Sequence, residues 1–125
     1  MRRWEAETVR DVPKPVVLTV GCSHQLNARC HAAASASGAI VLEAPDPAVA
    51  ATFVRDTAPL AIVTTDALFV AHAALVEELA RIVDADVVTV ARDDIAVPAL
   101  ESQILRALVE AARRRGATKT PRGAP

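Results

Sequence analysis

Cys22, Ser23 and His24 follow a short β-branched run, Val16 to Val20, that ends at Gly21. A strand that stops and turns into a helix is where open α/β folds keep their chemistry. A thiol at the start of that helix gains from the helix dipole, so Cys22 is a candidate nucleophile. The simpler account is a small residue in a β–α turn. It is preferred, because buried cysteines usually behave as small apolar groups. Cys22, His24, Cys30 and His31 together offer zinc-type donors, which must converge from four directions. Cys30 and His31 are neighbours on a helix and point about 100° apart. Cys30 also shares a stripe with Leu26 and Ala33. No metal site is read from these four.

Further along, Asp66 follows the apolar run Leu60 to Val63 and two threonines. It suits an acceptor of chemistry, but also the N-cap of a helix over 67–83, and the cap is preferred. His72 lies on the apolar repeat of that helix, so a satisfied, half-buried histidine is expected rather than a base. Asp93 and Asp94 form the acidic pair at the end of a fourth apolar run, and a solvated loop accounts for them. Arg113, Arg114 and Arg115 suit the last turn of a helix, where cations complement the dipole.

The elements that would position these residues alternate regularly. Val16 to Val20, Ala39 to Leu42, Leu60 to Val63 and Val87 to Val90 read as strands. A helix over 26–37 is stopped by Gly38. Asp46 and Pro47 open a second helix as N-cap and first helical residue, with Val49, Phe53, Val54 and Thr57 as its stripe. Leu68, His72, Leu75, Leu79 and Ile82 repeat at helical spacing through 67–83. A last helix begins near Pro98, carries Ile104, Leu105, Leu108 and Ala112, and is expected to end at Gly116. Short strands that are apolar on both faces, separated by helices, predict a parallel sheet covered on both sides. The predicted strand order is 2-1-3-4, with a fifth edge strand at 94–97 allowed for. Residues 1–14 form an expected flexible arm, residues 15–115 the domain, and residues 116–125 an expected disordered tail.

Composition narrows the function. The 125-residue chain suits one domain. Only 2% of it is aromatic and its formal net charge is −1, so neither a stacking platform nor a basic field is present to gather nucleic acid. No apolar run is long enough to span a membrane, and no N-terminal segment reads as a signal peptide. Two cysteines make no disulfide framework, and a cytoplasmic protein with reduced thiols is expected.

The stretch SGAIVLEAPDPAVAATFVRDTAPLAIVTTD, residues 37–66, carries a resemblance. Gly38 before the second strand, Glu43-Ala44 at its end, Asp46 in the turn and the run Leu60 to Val63 follow the plan of a response-regulator receiver domain. The likeness extends over roughly residues 15–115. It implies a flavodoxin-like three-layer α/β fold with a four- to five-stranded parallel sheet. It also places the family's functional positions. The acid pair that holds Mg²⁺ in receivers falls on Gly21, Cys22 and Ser23, none of which is acidic. The phospho-acceptor falls on Thr65, with Asp66 next to it. The fourth-strand hydroxyl falls near Thr89, and the Lys-Pro of the fifth strand is Val97-Pro98. Mg²⁺ needs oxygen ligands and phosphoryl transfer leans on the ion.

The resemblance is therefore to a degenerate receiver. It implies a non-catalytic signalling or regulatory module that is not phosphorylated, carries no cofactor and binds a protein partner, a second copy included. The shortened stretch after the fourth strand is expected to bare an apolar patch at Val97, Leu100 and Ile104, rimmed by Arg92, Asp93, Asp94 and Glu101. The alternative is that residues 92–98 fold back and cover these side chains. Cys22 also stands where the B subunits of sugar phosphotransferase systems, which are similar in having four parallel strands, carry a phosphorylated cysteine. That second resemblance implies a phosphocarrier or thiol enzyme. Its loop here, CSHQLNAR, has no glycine after the cysteine. Arg29 lies one residue too far from Cys22 for the loop of a low-molecular-weight phosphatase.

Overall fold

The computed structural model describes residues 14–123, with side chains to Gly116; the N-terminal arm, apart from Lys14, and residues 124–125 lie outside it. Among the described residues, four strands and four helices alternate. They are β1 (Val16–Val20), α1 (His24–Ala36), β2 (Ile40–Ala44), α2 (Pro47–Thr57), β3 (Ala61–Thr65), α3 (Asp66–Val83), β4 (Asp86–Val90) and α4 (Val97–Gly123). The sheet is wholly parallel, in the order β2-β1-β3-β4. That is the predicted order, in a flavodoxin-like three-layer arrangement.

Local chemistry explains the boundaries. Ser23 accepts from the Leu26 N–H and caps α1. Asp46 does the same for Val49 at the head of α2, with Pro47 in the first turn. α1 ends as expected, with Gly38 at φ 72°, where a Cβ is disfavoured, and with the Ala39 N–H bonded back to the Ala34 carbonyl. The central strands β1 and β3 bury side chains on both faces, and the edge strands β2 and β4 bury fewer. Val17, Ala61, Val63, Val88 and Val90 pack with Leu26, Cys30, Leu100 and Ile104 under α1 and α4. Leu18, Val20 and Ile62 pack with Val54, Val76 and Leu79 under α2 and α3. Two-sided burial is why these strands are continuous apolar runs rather than alternating ones.

Five expectations are corrected. No fifth strand forms at 94–97; residues 91–96 make a turn, and Val97 already begins α4. α4 does not stop at Gly116 but continues to Gly123, across most of the expected tail. The cap of α3 is Thr65, whose hydroxyl accepts from the Leu68 N–H; Asp66 is the first helical residue. His72 is exposed and sits at a kink, with φ −134° and ψ 36°. The kink shifts the helical phase, so Val76 and Leu79 face the core while Leu75 is 54% exposed.

The fifth correction concerns the expected interface. Leu100 and Ile104 are fully buried, and Val97 is half-buried against the same cluster. The turn over 91–96 folds back and brings Ile95 onto this core. The patch is therefore interior. The reason is that four strands leave α4 free to pack on β3, β4 and α1 directly, with no helix needed between them.

Candidate functional site

The carboxyl ends of β1 and β3 lie side by side at the point where the strand order reverses, the place at which open α/β sheets bind ligands. Gly21, Cys22 and Ser23 leave β1 there, and Thr65 and Asp66 leave β3. The structure thus brings together the two groups of residues that the receiver likeness singles out.

Gly21 adopts φ 65° and donates its N–H to the Ala44 carbonyl at 2.8 Å. A side chain here would be strained by the backbone and would run into the Leu68 side chain of α3. Leu68 therefore occupies the space that an acid at position 21 would need. Thr65 spends its hydroxyl on the α3 cap at 3.1 Å. Asp66 is exposed.

Below this surface a small polar network is closed on itself. Thr19 donates to Asn27 Oδ1 at 2.6 Å, and Asn27 Nδ2 donates to the Cys22 carbonyl at 3.2 Å. Thr64, fully buried, donates to the Val20 carbonyl at 2.8 Å. Each hydroxyl is satisfied from within, which fixes the turn after β1 and offers nothing to a ligand.

Cys22 is half-buried and its thiol faces the carbonyls of Val63 and Val20, at 3.6 and 3.8 Å. Burial pushes this thiol up to about 12, helped by Cys30 nearby and by Asp93 and Glu43. Cys30 lies inside the core, and burial pushes it to about 11. His31 leans away on the surface and pairs with Glu43 at 2.8 Å. The four zinc-type donors do not converge, and no group of three metal-ligating side chains is found among the described residues.

Beside this site lies a feature that sequence reasoning missed. A cavity of about 510 Å³ opens at the end of β4, lined by Asp66, Thr89, Arg92, Asp94, Ile95 and Gln103 among others. It lies over the carboxyl ends of β3 and β4, between Asp66 and the turn that follows β4. Arg92 closes its rim by a two-pronged bond to Asp94, which holds that carboxyl below its ordinary value. Arg29 reaches across from α1 to the Ile95 carbonyl at 3.3 Å and pins the turn. No local signal for this cavity exists in the sequence, because its lining brings together Asp66, the turn after β4 and Gln103 of α4.

The arginine run is also more than a solvated helix end. Arg114 bonds Asp84 and Asp86 beside β4, and Arg115 donates to the Pro59 and Val83 carbonyls. These bonds tie α4 to the amino ends of β3 and β4.

Fold and site together define a three-layer α/β protein whose strand-end positions carry glycine, a protonated thiol and capping hydroxyls. No family model matches the chain, and neither a curated protein nor a solved structure gives a match. No helix among the described residues is long and apolar enough to cross a membrane.

Proposed function

We propose that this chain is a receiver-like module that acts in signalling or regulation by binding another protein, without phosphoryl transfer. The observation that carries the proposal is the closed switch point. Leu68 fills the place of an acid over Gly21, and Thr65 is committed to its helix cap. Receivers need an oxygen-lined ion site at those positions. The strand order and the length of residues 37–66 support the kinship, while the residues at the strand ends support the loss of its chemistry.

The test is incubation with Mg²⁺ and acetyl phosphate, followed by intact-mass measurement. The expected result is an unchanged mass. A gain of one phosphoryl group that disappears in Asp66→Asn overturns the proposal. One observation favours the phosphocarrier as a second reading: Cys22 lies in the turn directly after the first strand of a four-stranded 2-1-3-4 sheet. Against it stands the thiol itself, which burial keeps protonated, whereas a nucleophile is needed as thiolate. A phosphoryl adduct lost in Cys22→Ser would establish that reading instead.

A further inference from the structure

Among the described residues, no strand pairs with the outer edge of β4. The Asp86 N–H donates to the Leu60 carbonyl of the residue before its partner Ala61, so Asp86, Val88 and Val90 turn their backbone groups towards β3. Val87 and Thr89 therefore turn their N–H and C=O groups outward, away from the sheet. A free edge of this kind is a template for another strand. Alongside it runs a trough: the cavity at the carboxyl end of β4 and a second of about 380 Å³ share Thr89 and Gln103. Arg106 and Glu110 line the second cavity from α4. Glu110 has Arg113 at 3.4 Å, and Arg106 has no ion-pair partner among the described residues.

We infer that this edge pairs with the same edge of a second copy, β4 against β4 in antiparallel sense, about a two-fold axis at Val88, which sets Val87 of each copy opposite Thr89 of the other. The inference rests on the interaction-module reading and names its partner. Self-pairing is favoured over a foreign strand by the charge pattern. Arg106 and Glu110 are four residues apart on one flank of α4. A two-fold axis normal to the sheet lays the two α4 helices antiparallel, side by side. Arg106 of each copy then meets Glu110 of the other, so the surface is complementary to itself. The outward backbone groups of Val87 and Thr89 exchange hydrogen bonds across the axis, as in β-augmentation. The product is one eight-stranded sheet with the α4 helices on the same face.

Sedimentation velocity of the full chain over a concentration series tests this. A reversible dimer is expected. Thr89→Pro should make the chain monomeric with an unchanged circular dichroism spectrum, because Thr89 is exposed and its N–H is not used by β3. Arg106→Glu alone and Glu110→Arg alone should each weaken the dimer roughly tenfold, since symmetry removes two contacts at once. Arg106→Glu combined with Glu110→Arg should restore it. If Thr89→Pro does not fold, the charge exchange decides. A monomeric wild-type chain, or a dimer indifferent to the single charge reversals, overturns the edge pairing. That failure stays distinct from failure of the functional reading, which the phosphodonor experiment decides on monomer and dimer alike.

Discussion

Burial acts on both thiols in the same direction. Cys22 rises from an ordinary 9.0 to about 12 and Cys30 to about 11, desolvation being the first cause for each. A group that holds its proton more tightly when folded adds stability below its unfolded value and loses it as pH climbs through the folded one. The fold should therefore weaken from about pH 9 upward, and Cys22→Ala should lessen the slope of that decline in chemical denaturation. Near neutral pH, alkylation of native Cys22 should run at least tenfold slower than in denaturant, since the thiolate is the reactive form. A native thiol that labels as fast as a free one would show an activated cysteine. Gly21 gives the second expectation at this scale. Gly21→Ala meets both a left-handed backbone and Leu68 and should cost about 1–3 kcal/mol. Gly21→Asp should cost more, and Leu68→Ala in the same chain should recover part of it. The glycine is plain in the sequence. The leucine that closes it off lies 47 residues further on, and only the fold brings it there.

Glycines at two helix ends separate what the sequence shows from what it hides. Gly38 and Gly116 both read as stop signals after a run of helix formers. Gly38 is one, with φ 72° and the bond from Ala39 to Ala34 closing the turn. Gly116 lies within α4, and a Cβ there meets nothing within 4 Å. Gly116→Ala should raise stability by about 0.5–1 kcal/mol, whereas Gly38→Ala should lower it, both read from urea midpoints. The helix passes Gly116 because the residues just before it are anchored: Arg115 to two backbone carbonyls and Arg114 to Asp84 and Asp86. Those bonds join residues 28 to 56 apart, beyond the reach of any local cap rule. Arg115→Ala should cost about 1–3 kcal/mol, because charge-assisted bonds to two backbone carbonyls are lost. The Asp46 cap, followed by Pro47, is legible in the sequence, whereas at α3 two adjacent residues could both cap and the hydroxyl of Thr65 takes the place expected for Asp66. The α3 repeat was misphased, because the kink at His72 leaves no mark in the spacing of leucines.

Sheet order was readable because parallel strands between helices allow few topologies, and right-handed crossovers select among them. What the alternation of strands and helices does not specify is how far the turn after β4 reaches. Residues 92–98 either bare the first turns of α4 or cover them, and the same apolar side chains serve both arrangements. The structure chooses cover: Ile95 folds onto the cluster that holds Leu100 and Ile104, and Arg29 pins the turn from α1. Leu100→Asp should therefore unfold the chain, because an unpaired charge in the core costs several kcal/mol, about the whole margin of a small domain. Ile104→Ala should keep the fold but lose about 2–5 kcal/mol. Leu105, 48% exposed on the same helix, supplies the contrast: Leu105→Asp should change stability by no more than about 0.5 kcal/mol. Thermal melts of the three variants read this directly. A folded Leu100→Asp chain would mean that the turn can lift from α4, and the apolar surface would then belong to a partner after all. A melted one would show that the turn stays down on α4 and that Leu100 belongs to the core.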